Sequence, residues 1–522
     1  MRWRKASAGE APAPQRSTRN RMLIAALTGA ASVFSFAPFG WWPLQVVTLA
    51  MLFYQVLRAD TPRAGFLVGW AFGFGWCTAA FHWLYIALNR FGGLPAPMAA
   101  ISIALLGAAM GLYAGMAMGT TNWLRKRWAL PLPAAALLVA PALWALFEWT
   151  RGWLFTGFSW ASAGYAHNTS PLSGYAPVLG VYGISWLVAL TAGALCLLQH
   201  RTRLRALGLI AAVWALGFGL QFIEWTHASG KPLSVRLIQG NVALEAKFDP
   251  AHMQGTLRKY YEAVTAAPAD LIAIPETGVP LFPHQLPPGY LDSYGLFARK
   301  SGSHVVLGIP LMDSPTRYAN SVLGLSPARG VPPYRYDKQH LVPFGEFIPP
   351  GFRWFTNMMQ IPLGDQTAGP DIQGPFVVRD QKVLPNICYE NLFGEEIAEQ
   401  IDATGATVML NVSELAWYGE SIAIPQHLQI SQMRSLEMAR PMLSATNSGA
   451  TVVIDPRGVV THSLPYYRAG VLAASVQGMT GTTPYIALQN KLLLALAALS
   501  IAAAWLLSRQ GRKTLQVPGK TR

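Results

Sequence analysis

Three short segments in the second half of the chain carry residue types that could together transfer an acyl group. In DLIAIPETGVP an apolar run, Leu271 to Ile274, reaches Pro275 and then presents Glu276. In YRYDKQHLVPFGEFIPP the notable side chains are Lys338 and Glu346. In KVLPNICYENLFGEEIAEQI a second apolar strand runs into Cys388, and a helical pattern follows at once. A thiol attacks an acyl carbonyl only when a base removes its proton. Glu276 is the candidate base, because partial burial makes a carboxylate more basic. The tetrahedral intermediate carries an oxyanion, which Lys338 can stabilise as a fixed positive charge beside a backbone N–H near Cys388. A cysteine between a strand and a helix sits near a helix N-terminus, whose dipole favours the reactive thiolate.

Each of these residues also has an ordinary reading. A lone buried cysteine usually packs a core. A glutamate at a strand end often caps a helix or faces solvent, and Asp337 beside Lys338 reads as a solvated pair. Glu390, two positions after the thiol, reads as a first-turn helix charge. The other cysteines, Cys77 and Cys196, lie in apolar runs and read as packing residues. A disulfide framework is therefore not expected. No CxxC motif or His/Cys cluster suggests a metal.

The elements that must position this chemistry belong to a membrane protein. Of 522 residues, 52% are hydrophobic and only 12% charged, against about 25% charged in a soluble domain. A membrane-crossing helix needs about 20 mostly apolar residues. Seven candidates precede residue 230, at about 21–38, 41–57, 64–88, 94–120, 129–149, 175–199 and 205–225. An eighth covers about 484–507. Residues 231–483 contain no such run. They show short β-type runs, SVRLIQGNV, DLIAIPE and HVVLGIP, mixed with polar helical segments, enough for one α/β domain.

Charge placement sets the expected orientation. With the N-terminus inside, nineteen Lys and Arg flank the spans on the inner side, and only Arg90 and Arg151 lie in the short outer loops. Lys and Arg resist translocation, so the asymmetry puts 231–483 outside. The expected organisation is a disordered cytoplasmic arm over 1–20, a membrane bundle over 21–230 and an extracytoplasmic catalytic domain over 231–483. A final span over 484–507 and a basic cytoplasmic tail over 508–522 complete it. A cleaved signal peptide over the first span is the lesser reading, because six more spans follow. The formal charge of +15 does not indicate nucleic-acid binding, since the basic residues sit at helix ends rather than in one patch.

The flanking sequences resemble the nitrilase superfamily, whose members use a Glu–Lys–Cys triad. PET supplies Glu276, YDKQHLVPFGE supplies Lys338, and NICYE supplies Cys388. The resemblance implies an α-β-β-α sandwich, and it makes Glu346 a second glutamate that positions the triad. The chain is most similar to the apolipoprotein N-acyltransferase family. RGWLFTGFSWASAGY, LIQGNV, HLVPFGEFIP, CYENLFGEE and QHLQISQMRSLEMARPMLSATNSG all look like that family. The implied fold is a multi-span α-helical bundle of about eight transmembrane helices plus the nitrilase-like domain. Tyr389, Glu390 and Trp417 are implied as supporting or substrate-contacting residues. Two departures fall on loops near the site. Phe248 stands where the family commonly has Trp in a K-W-D context. NVSELAWYG replaces NVSNDAWFG, so Glu414 and Leu415 replace a polar pair.

The implied activity moves a fatty acyl chain from a phospholipid, through a thioester on Cys388, to the N-terminal amine of a diacylglyceryl-cysteine apolipoprotein. The resemblance implies that no metal or dissociable cofactor is needed. The implied setting is the bacterial inner membrane, with the catalytic domain on the periplasmic side and the enzyme acting as a monomer. A membrane-anchored amide hydrolase with the same triad is the alternative, although seven preceding spans exceed what an anchor needs. A transporter with an accessory domain is a third class, but such proteins place ionisable groups mid-membrane. Here Glu148 sits at a helix end beside Arg151. The apolar segment GFRWFTNMMQIPLG, with Trp354 and Phe355, reads either as an arm resting on lipid or as a packed loop.

Overall fold

The computed structural model describes residues 17–354 and 365–515, with side chains to 510. The first helix, Thr18–Ala31, begins inside the stretch expected to be disordered, where Ser17 caps it through Asn20 N–H. Residues 1–16 and 516–522 of the two expected tails lie outside the described residues.

Among the described residues, six helices are long and apolar enough to cross a membrane: Pro62–Phe81, Ala96–Arg127, Leu132–Arg151, Pro171–Leu195, Arg203–Leu220 and Lys491–Gln510. The expectation of about eight is corrected for the first two elements. Thr18–Ala31 and Trp42–Leu57 have 14 and 16 residues, so they span about 21 and 24 Å against a hydrocarbon core of about 30 Å. The reason is local. A 3-10 turn at Ser32–Ser35 ends the first helix, and Pro43 opens the next beside Gly40. The last span also starts later than expected. Pro484–Leu488 is a separate short helix, broken where Gln489 takes φ +50°.

Small residues let the bundle helices approach closely. A Cβ on Gly29 would lie 2.0 Å from the Phe72 carbonyl oxygen, and one on Gly75 2.0 Å from that of Ala26. No side chain fits either crossing, which is how apolar helices gain contact without a hydrophobic drive. Trp76 and Trp144 stack at 5.6 Å in the same core.

The chain leaves the bundle through Thr226–Ala228 and returns through Met479–Gly481. These two strands pair antiparallel and tie the domain's entry to its exit. Between them lie two six-stranded sheets. One runs Gly470–Val476, Leu233–Gln239, Leu271–Ala273, His304–Ser314, Arg317–Leu325, Tyr334–Asp337. The other runs Val460–Ser463, Val452–Ile454, Met442–Thr446, Val408–Ser413, Gln381–Ile387, Phe376–Val378. Each has three parallel strands at its centre.

Alternation along the strands builds the layers. Leu271 and Ala273 face the second sheet, while Ile272 and Ile274 face the helices Pro250–Thr265 and Tyr290–Ser301. Helices Gly394–Thr404 and Ala423–Met438 cover the other sheet, completing the α-β-β-α sandwich. The Ala423–Met438 helix is buried on both sides. Ile424 and Met438 join the sheet core, and Ile430, Met433 and Leu436 join the core of the bundle.

Candidate active site

The reactive side chains follow the C-terminal ends of strands from both sheets. Glu276 follows Leu271–Ala273, Lys338 follows Tyr334–Asp337, Cys388 follows Gln381–Ile387, and Glu414 follows Val408–Ser413. Strand ends free backbone and side chains from the ladder and converge on one spot.

Glu276, Lys338 and Glu346 form one buried network. Lys338 Nζ lies 2.8 Å from Glu346 Oε1 and 3.4 Å from Glu276 Oε1. Asn320 Nδ2 donates to both carboxylates, at 2.7 Å to Glu276 Oε1 and 3.1 Å to Glu346 Oε1. Glu276 Oε2 accepts the Glu414 N–H at 2.7 Å, and Glu346 Oε2 accepts the Val342 N–H at 2.8 Å. The solvated reading of Lys338 is thereby corrected, since its side chain is 1% exposed. Asp337 turns away to Arg335 and Ser321. Burial alone would depress the Lys338 pKa. The charges of Glu346 and Glu276 outweigh it and hold the ammonium well above the ordinary lysine range.

Cys388 sits at φ +52°, a region costly for a side chain with a Cβ and common at reactive elbows. A 3-10 turn, Cys388–Leu392, follows it, and the α-helix starts only at Gly394. The expected dipole activation is therefore corrected. Burial raises the thiol well above its ordinary value, Glu276 adds to this, and Lys338 only partly opposes it. The resting group is a thiol, so attack needs a base at the moment of reaction. The Cys388 carbonyl faces His427 Nε2 at 3.3 Å and Asn411 Nδ2 at 3.4 Å. Burial lowers the His427 pKa to about 4, so that ring is neutral.

Glu390 is not a surface helix charge. Its carboxylate accepts N–H groups from Ile387, Gln339 and His340 and the Tyr336 hydroxyl. It thus fastens the cysteine elbow to the loop that carries Lys338. Burial raises its pKa to about 7, against the pull of those N–H groups.

Two further residues were not legible as site residues. Asn320 interrupts an apolar strand, and Lys247 is fully buried beside the exposed Phe248. Lys247 Nζ pairs with Glu414 Oε2 and donates to the Glu276 carbonyl at 3.1 Å. A polar residue within an apolar strand was the available signal for Asn320. Among the described residues no group of three or more His, Cys, Asp or Glu is placed to hold a metal.

Comparison with known proteins matches both halves of the chain. The model described as "Apolipoprotein N-acyltransferase N-terminal domain" covers residues 28–194, and the one described as "Carbon-nitrogen hydrolase" covers 234–485. The apolipoprotein N-acyltransferase of Ralstonia nicotianae is 45% identical over 489 residues, or 92% of each chain. The chain belongs to the apolipoprotein N-acyltransferase family. The Bordetella bronchiseptica relative is 41% identical over 94% of this chain and 97% of its own. That of Nitrosomonas europaea is 41% identical over 94% and 98%. These full-length relatives do not favour the hydrolase alternative.

Membership gives meaning to the contacts between the two halves of this acyltransferase. Tyr389 donates its hydroxyl to the Gly157 carbonyl at 2.7 Å, which joins the cysteine elbow to the loop after the Ala140–Arg151 helix. Glu148 and Arg151 hold that loop through Ala163 N–H and the carbonyls of Phe158 and Trp160. Trp160 Nε1 donates to Gln426 at 2.7 Å. His340 bridges Glu396 at 2.8 Å and the Thr156 carbonyl at 2.7 Å. Trp417 stands apart from the charged network and meets Phe91 edge-on at 5.5 Å. Of the apolar segment 351–364, Trp354 is 64% exposed, and residues 355–364, with Phe355, lie outside the described residues.

Proposed function

We propose that this enzyme takes a fatty acyl chain from a phospholipid onto Cys388 and delivers it to the N-terminal amine of a diacylglyceryl-modified lipoprotein. The single observation that supports this is a thiol at a strained elbow, buried against Glu276, Lys338 and Glu346. The elbow is itself fastened to a membrane-domain loop.

In the first half-reaction the Cys388 sulfur attacks the ester carbonyl, and Glu276 takes the thiol proton. Lys338 stabilises the oxyanion. The C–O bond then breaks, and the lysophospholipid oxygen leaves with the proton from Glu276. In the second, the amine attacks the thioester, and Glu276 takes a proton from the nitrogen. As the C–S bond breaks, Glu276 passes that proton to the sulfur, which restores the thiol and the carboxylate. Both substrates are confined to the bilayer, which favours encounter and orientation. The setting is the inner membrane, with the catalytic domain on the periplasmic face, and the enzyme acts as a monomer. The test supplies purified enzyme with phospholipid vesicles and a synthetic diacylglyceryl lipopeptide. A lipopeptide heavier by one acyl chain, with an equal amount of lysophospholipid, is expected. Free fatty acid in place of the acylated lipopeptide would instead mark a hydrolase.

A further inference from the structure

Beside the proposed base lies a second buried ion pair that the reaction as written does not use. Lys247 is wholly buried at the end of a short helix, Leu244–Lys247, and Glu414 is 4% exposed just past the strand Val408–Ser413. Their side chains meet directly. Each also reaches Glu276, by a different route. Lys247 Nζ donates to the backbone carbonyl of Glu276 at 3.1 Å. The Glu414 N–H donates to its carboxylate oxygen Oε2 at 2.7 Å. Glu414 Oε1 is held in turn by Asn447 Nδ2 and the Ala416 N–H, both at 3.2 Å. Asn447 is itself fixed by Val242 and Tyr260.

Fully buried charges are costly unless matched. A structural anchor could be built from neutral groups at less cost. A matched charge pair in contact with both the backbone and the carboxylate of Glu276 has a second effect, which is to set the field in which that carboxylate works. With Glu414 present, the Lys247 ammonium is neutralised locally. Without Glu414, the ammonium faces Glu276 alone and weakens it as a base. Without Lys247, an unmatched carboxylate stands beside Glu276 and disfavours its ionised form.

We propose that Lys247 and Glu414 are a positioning pair for Glu276, fixing the orientation of its carboxylate and matching the buried charge beside which it takes the thiol proton. This rests on Glu276 being the base of the reaction proposed above. The loops that carry the pair also bear the exposed Phe248 and Trp417.

The test measures the initial rate of thioester formation against pH, from about pH 4 to about pH 9. It uses the full-length protein in detergent with vesicles of phosphatidylethanolamine and phosphatidylglycerol. In Glu414→Gln the acid limb should move to lower pH by roughly one unit, and the rate at neutral pH should fall at least about tenfold. In Lys247→Met the limb should move to higher pH. In the double variant no charge is left unmatched, and the limb should return to the wild-type position. Glu414→Asp keeps the charge and should keep the wild-type limb. A purely structural pair would lower rates without moving the limb in opposite directions. Single variants whose limbs stay at the wild-type position, or move in the same direction, overturn the proposal. If a single variant does not fold, the double and Glu414→Asp carry the test, and a displaced limb in either overturns it. If the wild type forms no thioester, it is the acyl-donor reading that fails. The same limbs are then read from Cys388 alkylation by iodoacetamide, which needs the same base.

Discussion

The reactivity of Cys388 does not come from a low resting pKa. Burial and the neighbouring carboxylates keep the sulfur protonated, and Lys338 is committed to Glu346 and Glu276. The account therefore depends on proton transfer to Glu276 during attack. Glu276→Gln preserves size and most hydrogen bonds but cannot accept the proton. Its acylation rate should fall by about 10²–10⁴-fold, the usual share of general base catalysis, with an unchanged unfolding transition. Near-normal rates would remove Glu276 from that role. Lys338→Arg keeps the charge but replaces a compact ammonium with a planar fork. Between Glu346 Oε1 at 2.8 Å and Asn320's two carboxylate contacts, there is no room for the larger group. A loss of about 3–4 kcal/mol in transition-state stabilisation is expected, read as kcat/KM. Wild-type kinetics would mean that a diffuse positive field suffices. Glu276, Lys338 and Cys388 were legible as candidates because three long sequence strings carry them. Asn320 and Lys247 were not, because neither lies in a motif with a spacing of its own. Only the folded strand ends bring them to Glu276.

The helix Ala423–Met438 decides how the two halves communicate. It covers one sheet of the sandwich. Yet its second face belongs to the bundle core, and polar groups cross that boundary. Val181 N–H donates to Glu437 Oε1 at 2.8 Å, and Asn168 Nδ2 to the Gln429 carbonyl. This was not readable beforehand, because Gln426, His427, Gln429, Arg434 and Glu437 give the helix a polar sequence although all of them are buried. The short first two helices were overcalled for a different reason. Apolar composition continues through Val33, Phe34 and Phe36 although the helix stops. Glu437 gives this interface a pH dependence. Burial raises its pKa from 4.5 to about 7, although Arg434 opposes the shift. A carboxyl raised on folding stabilises the native state fully below its unfolded value, and the contribution is lost as pH rises through the folded value. The thermal midpoint of the wild type, measured relative to Glu437→Gln, should therefore fall between about pH 4.5 and about pH 7 and level off above. A difference that grows over that interval would contradict the assignment.

At the scale of the whole molecule, a soluble type of sandwich is carried on a bundle whose loops complete its site. The two-domain division and the order of the parts were readable from hydropathy alone, since apolar runs stop at about residue 225 and resume near 484. The mutual fit of the halves was not. It depends on the loop after Arg151, whose 3-10 turns hydrogen-bond to the catalytic domain at Gln426 and, through Gly157, at Tyr389. The charge asymmetry predicts both termini in the cytoplasm and the catalytic domain outside. Reporter fusions near residue 300 and at the C-terminus should show outer and inner activity respectively. A cytoplasmic signal at residue 300 would reverse the topology and detach the enzyme from its lipoprotein substrates.

The covalent intermediate tests the central claim most directly. Intact mass measurement of the purified protein after incubation with phospholipid alone should show one added fatty acyl mass, with lysophospholipid released. Neutral hydroxylamine, which cleaves thioesters, should remove the adduct, and an acceptor with a free N-terminal amine should clear it. Cys388→Ala should show no adduct. An adduct that persists in Cys388→Ala, or lysophospholipid that appears only when both substrates are present, would contradict the account.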